Sequence, residues 1–181
     1  MEGKAVHMSM NGSHDAYPDM VRIYHADSGN LTLETRVIKT LAEWESVLTP
    51  IQFSVARLKC SEPPFSGAYH DLHNRGIYRC ACCGTDLFSS ETKFDSGTGW
   101  PSFSEPVHRN NVTFREDLTH GMVRTEVLCT RCDAHLGHVF DDGPLPAGTR
   151  YCMNSASLIF IPGAVLGNTR EQRKSKQDRT Q

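Results

Sequence analysis

The feature that most constrains this chain is a pair of Cys-x-x-Cys steps, Cys80-Ala81-Cys82-Cys83 and Cys129-Thr130-Arg131-Cys132. Each step supplies two thiolates from one tight turn. Together they offer four sulfur ligands, the tetrahedral set of a structural zinc site. Such a site has no open coordination position, so its role is to hold the fold rather than to react. Gly84 after Cys83 suits a knuckle turn, whereas Asp133 stands at the matching place after Cys132. Forty-five residues separate Cys83 from Cys129. A whole β unit must lie between the knuckles, and the metal then joins the two ends of one domain. Cys82 competes as a ligand, but the Cys-x-x-Cys register favours Cys80 and Cys83. A thioredoxin-like redox step is the rival reading. It needs a strand–helix context, and two such steps together argue for metal.

Seven cysteines is an odd count for a disulfide framework. With no apolar leader at the start, the count predicts metal and redox chemistry in a reducing, cytoplasmic setting. A length of 181 residues suits one domain with tails. A net charge of -2 gives no pull toward nucleic acid or a membrane surface. The basic excess lies in the tail, at Arg170, Arg173, Lys174, Lys176 and Arg179. No apolar run approaches the roughly 20 residues of a membrane span.

Taken in order, residues 1–35 form a polar, partly ordered arm in which Val21-Arg22-Ile23-Tyr24 could be a short strand. The domain proper spans 36–162, and 163–181 is a disordered polar and basic tail. Thr40-Leu41-Ala42-Glu43 has capping-box spacing, and Thr49-Pro50 offers a second N-cap with proline in the first turn. Two short helices are therefore predicted, one through Val47 and one to about Leu58. Ser61 to Tyr69, with Pro63-Pro64 and Gly67, reads as a turn-rich connection. Beyond it, short runs such as Ile77–Arg79, Val112–Arg115, Met122–Leu128 and Ala156–Ile161 alternate between Gly/Pro turns. The fold class is mainly β: antiparallel sheets around a zinc-clamped core, with short N-terminal helices.

Cys152 stands outside the clamp, in Arg150-Tyr151-Cys152-Met153-Asn154-Ser155. Positions two apart share a strand face, so Arg150, Cys152 and Asn154 are expected side by side. A cation favours thiolate, the nucleophilic form. A buried structural cysteine is the commoner fate of a lone Cys, but the polar neighbours weigh against it. His135 and His138, with Asp142 beyond them, are candidate proton donors or positioners. Trp100 lies in a Gly/Pro loop, where an indole can wall a small apolar pocket, and Phe140 can add to it.

These residues also carry a family resemblance. Arg150–Ser155, the run Gly97-Thr98-Gly99-Trp100-Pro101-Ser102-Phe103, the run His135-Leu136-Gly137-His138-Val139-Phe140-Asp141-Asp142-Gly143 and the two Cys-x-x-Cys steps occur in order. The pattern resembles the methionine-R-sulfoxide reductases of the B type, from about Leu41 to about Pro162. The resemblance implies reduction of methionine sulfoxide, protein-bound and possibly free, of the R epimer. It implies Cys152 as nucleophile, His135 and His138 neutralising charge on the sulfoxide oxygen, and Trp100 receiving the substrate methyl. Arg150 would hold the thiolate, and Asn154 would orient a histidine or the substrate. A Cys152 sulfenic acid would condense with a second thiol, and thioredoxin would reduce the disulfide. Many members place that second cysteine in the tryptophan loop, where this chain has Thr98. Cys60 and Cys82 are then the candidates. Cys60 is preferred, because it borders a Pro/Gly segment while Cys82 is wedged between metal ligands.

Two other classes fit the sequence less well. A zinc-ribbon binding module needs a basic face with aromatics, which the folded region lacks. A zinc hydrolase or deaminase needs an open zinc position and a His-x-Glu signature, and neither is visible.

Overall fold

A computed structural model describes residues 19–164 and 166. The polar start at 1–18 and the tail from 167 onward lie outside the described residues. A hairpin comes first, β1 (Met20–His25) with β2 (Asn30–Thr35), followed by α1 (Leu41–Val47) and α2 (Pro50–Ala56). Both helices start as their sequences require. Thr40 and Thr49 accept from the backbone amides of Glu43 and Gln52, and those side chains reach back to the cap amides. Both helices are two turns long, and the amides of their C-caps, Leu48 and Arg57, close the last ladder bonds to the Trp44 and Phe53 carbonyls.

The remaining strands are β3 (Gly76–Cys80), β4 (Asp86–Ser89), β5 (Lys93–Phe94), β6 (Ser102–Phe103), β7 (Val112–Asp117), β8 (Arg124–Cys129), β9 (His135–Phe140), β10 (Arg150–Met153) and β11 (Leu158–Pro162). They form two further antiparallel sheets, ordered β11-β3-β4 and β5-β6-β10-β9-β8-β7. The core lies where these sheets face each other. Phe88 and Tyr78 of the small sheet meet Phe103 of the large one at ring centroid distances of 4.5 and 5.0 Å. Leu87, Val127, Leu136 and Met153 are fully buried around them. Burial of each such side chain contributes about 1.5–3 kcal/mol.

The run Val21–Tyr24 is a strand, and its hairpin is tied to the domain. Buried Asn111 accepts from the Tyr24 amide at 2.8 Å and donates to the Tyr24 and Asp86 carbonyls. Asp86 accepts from the Ala26 amide at 2.8 Å. The last strand, expected from Ala156 to Ile161, instead starts at Leu158, because Ser155–Ser157 form a 3-10 turn between β10 and β11.

Candidate active site and metal clamp

The first knuckle is the turn between β3 and β4, and the second is the turn between β8 and β9. They have the same hydrogen-bond pattern. The Gly84 amide donates to the Cys80 carbonyl at 2.9 Å, and the Cys80 amide donates to Thr85 at 2.8 Å. In the second knuckle, Asp133 donates to Cys129 at 2.9 Å and Cys129 donates to Ala134 at 3.0 Å. Gly84 adopts a φ of 77° and Asp133 a φ of 55°. Aspartate is one of the few residues with a side chain that tolerates this region, so the missing glycine costs little. Arg36 pairs with the Asp133 carboxylate.

The four sulfurs of Cys80, Cys83, Cys129 and Cys132 all lie within 4.8 Å of one another. Cys80 to Cys132 is 3.6 Å and Cys83 to Cys129 is 3.5 Å. That is a closed, all-thiolate donor set, close enough to hold one metal ion. Because one knuckle belongs to each sheet, a bound ion cross-links the two halves of the core.

Cys152 sits on β10 between β6 and β9, paired with Ser102 on one side and His138 on the other. The neighbour is held very close. A Cβ on Gly137 would meet the Cys152 carbonyl oxygen at 2.1 Å, so the glycine within His135-Leu136-Gly137-His138 is a steric requirement. Cys152 opens into a pocket of about 130 Å³ walled by Trp100, His138, Phe140, Asn154 and Ser61. Trp100 is fixed by donating its indole N–H to the Glu62 carbonyl at 3.0 Å. Arg150 stacks over the Phe140 ring at 4.5 Å. Its guanidinium also grips Asp142 with two bonds of 2.9 Å.

Asp142, which follows the two histidines in sequence, holds Arg150, and the β9–β10 register sets Arg150 opposite Phe140. The histidines have other carboxylates. His135 Nδ1 lies 2.8 Å from Glu126, and His138 Nε2 lies 2.7 Å from Asp117. Asn154 neither orients a histidine nor extends the Arg150–Cys152 face as a strand residue. Its oxygen accepts from the Glu62 amide at 3.0 Å and its amide donates to Leu136 at 3.1 Å. It thereby pins the 61–62 segment beside the pocket.

The thiol itself differs from expectation. Burial pushes the Cys152 pKa up, while Arg150 and a hydrogen bond from Thr98 pull it back only partly. A thiolate favoured by Arg150 and the nearby histidines leaves out the dehydration of a half-buried sulfur. His135 is pushed down, first by burial and against the pull of Glu126.

Glu62 was not singled out by sequence. It is buried, and its carboxylate accepts from the Ser155 and Ala156 amides at 2.6 and 2.9 Å. As the only charge in Ser61 to Tyr69 it left a faint signal. Together with the Phe65 amide on Gly99 and the Tyr69 amide on Ser155, it ties down a segment expected to be loose. Cys60 just before it is exposed. It lines a second cavity of about 680 Å³ that shares Ser61, Arg124 and His138 with the Cys152 pocket.

Comparison with known proteins agrees with this layout. Residues 48–162 match the SelR domain family. A "Peptide methionine sulfoxide reductase MsrB" of Pseudomonas fluorescens is 55% identical over 127 residues, 70% of this chain and 97% of the relative. One of the same description from Thiobacillus denitrificans is 59% identical over 124 residues, covering 68% and 94%. Another from Bradyrhizobium diazoefficiens is 52% identical over 136 residues, covering 75% and 98%. A solved Mis18 "Yippee-like" domain aligns at TM-score 0.38 with 24% identity, covering 52% of this chain and 99% of its own, a likeness too slight to carry an argument. The protein is an oxidoreductase built on a four-cysteine clamp. It belongs to the methionine-R-sulfoxide reductase B family.

Proposed function

We propose that this chain reduces methionine-R-sulfoxide to methionine with Cys152 as the nucleophile. The observation that carries the reading is one pocket holding a thiol, a histidine and two aromatic walls at the size of a methyl sulfoxide group. Trp100 and Phe140 receive the methyl, which leaves one handedness at sulfur presenting its oxygen to His138. Protonation or hydrogen bonding of that oxygen makes the sulfur electrophilic. Burial works against the Cys152 thiolate, so Arg150, held by Asp142, stabilises the thiolate as the sulfur gives up its proton on attack. The net exchange balances: thiol plus sulfoxide gives sulfenic acid plus methionine, with the oxygen moving to Cys152. His135 stands behind His138, and Asn154 keeps the pocket wall in place.

Recycling needs a second thiol, which condenses with the sulfenic acid and releases water. Cys60 is the proposed partner, since its cavity shares three walls with the Cys152 pocket. Disulfide geometry asks for Cα atoms within about 7 Å, and any approach of Cys60 to Cys152 falls to the residues ahead of the anchor at the Glu62 amide. Thioredoxin then reduces the disulfide by exchange. The clamp cysteines fit one zinc, which would act as a structural cross-link and take no part in the reaction. We assign the reductase unit to 36–162, with the hairpin at 20–35 docked on it and 163–181 as a tail. No helix among the described residues is long and apolar enough to cross a membrane. Repair of oxidised proteins in the cytoplasm is the setting this chemistry suits.

The test is dithiothreitol-driven turnover of separated R and S epimers by wild type and Cys152→Ser. R-only turnover that vanishes in the variant supports the reading, and equal rates on both epimers would overturn it.

A further inference from the structure

Two carboxylates on neighbouring strands point at the two histidines. Asp117 ends β7, and its Oδ2 is 2.7 Å from His138 Nε2. Glu126 lies on β8, its Oε1 2.8 Å from His135 Nδ1. A histidine's working nitrogen is set by what its other nitrogen bonds. These contacts therefore decide which edge of each ring is free. We infer that Asp117 and Glu126 are positioning residues for the Cys152 chemistry: Asp117 fixes His138 with Nε2–H and frees Nδ1, while Glu126 fixes His135 with Nδ1–H and frees Nε2. This rests on the reading that Cys152 reduces a sulfoxide with help from His138.

Both carboxylates are set up to stay ionised. Asp117 accepts from the Thr119 hydroxyl at 2.7 Å, the Thr119 amide at 2.9 Å and Arg124 at 2.8 Å. Those bonds, the Thr119 ones foremost, hold its carboxyl well below the usual range. Burial would raise Glu126, but hydrogen bonds from Lys59 and His135 outweigh it. Lys59 Nζ sits 2.9 Å from Glu126 Oε2 and is half exposed. The two histidine rings meet edge-on at a centroid distance of 5.4 Å. His135 Nε2 is buried without a protein partner among the described residues, so the Glu126 contact is the one that orients it.

The dyads differ in reach. His138 lines the Cys152 pocket and the wider cavity, while His135 lines only the latter. Asp117 therefore acts on the ring nearest the substrate oxygen. In the protonated ring, Nε2–H is held by Asp117 and Nδ1–H is left to donate. Glu126 acts one ring further back. Among the described residues that line the same two cavities as His138, the charged and titratable groups are Lys59 and Cys60 of the connection, Glu116 and Asp117 of β7, Arg124 and Glu126 of β8, His135 of β9 and Cys152 of β10, with Arg150 two residues before Cys152 on the same strand. Of these, only Asp117 is bonded to its ring.

The experiment has two arms. In the wild-type protein carrying 15N-histidine, NMR above the acid range should show the Nε2–H tautomer for His138 and the Nδ1–H tautomer for His135. The opposite tautomer at His138 would overturn the inference without reference to activity. In the second arm, Asp117→Asn should lower kcat about 10²-fold and leave KM within about twofold. A kcat within twofold of wild type would overturn it. Cys152→Ser run alongside separates the failures. If that variant still turns over, the sulfoxide-reductase reading fails, whatever the tautomers show.

Discussion

The two cysteine-bearing regions of this molecule are built on opposite plans. The clamp takes all its donors from two hairpin turns, and within each turn three residues of spacing do the work. The Cys152 pocket is gathered from the 60–62 connection, the tryptophan loop, β8, β9 and β10. The clamp is closed and tied to both sheets, so it should govern stability. The pocket is open and walled by side chains that the core does not need, so it should govern activity alone. That difference can be broken by experiment.

The largest expected effect is at the clamp. Cys129→Ser, or prolonged chelation, should remove the ion and unfold the domain, since metal-binding energy is folding energy of about 10 kcal/mol or more in small zinc sites. Elemental analysis with thermal melting checks this, and a metal-free preparation that melts normally and reduces substrate would erase the contrast. Next comes Cys152→Ser, expected to lose about 10³-fold or more in turnover while keeping its metal content and melting temperature. A matched loss of stability would mean the two regions are not separable.

Trp100→Ala should be milder. It removes one pocket wall and one bond to Glu62, with an expected loss of about tenfold or more in kcat/KM, or ~1.4 kcal/mol per tenfold, at unchanged metal content. Steady-state kinetics on the R epimer with elemental analysis measures it. The smallest effect concerns pH. Burial raises the Cys152 pKa, and only the deprotonated sulfur is alkylated. Its alkylation rate should therefore climb with pH beyond the range of an ordinary thiol. Arg150→Met should push that climb higher still, because the positive charge that favours the thiolate is gone. An alkylation midpoint below that of a free cysteine would contradict the stated cause.

The same contrast explains what could be read in the sequence. The clamp was legible because its geometry is local. Even Asp133, which lacks the glycine's freedom, adopts the required conformation at a φ of 55°. The helices were legible for the same reason, through Thr40 and Thr49. Cys152, His138 and Trp100 can be named from their near neighbours in sequence and from motif order, but the carboxylates that hold the histidines cannot. Asp142 lies near the histidines in the chain, yet cross-strand register gives it to Arg150. Asp117 and Glu126 reach the histidines only through the pairing of β7, β8 and β9, which no short spacing encodes. Glu62 needed a 3-10 turn at Ser155–Ser157 that strand periodicity hid. The expected direction for Cys152 failed because burial of a single sulfur is a tertiary quantity.

The central claim is that the pocket cysteine reacts while the clamp stays closed. The most direct measurement treats the Cys60→Ser variant with one equivalent of methionine-R-sulfoxide without reductant, then traps sulfenic acid with dimedone and maps the peptides. The account predicts one label, on Cys152, one equivalent of methionine and full retention of the metal. A label on Cys80, Cys83, Cys129 or Cys132 with metal release, or methionine formed with Cys152 unmodified, would contradict it.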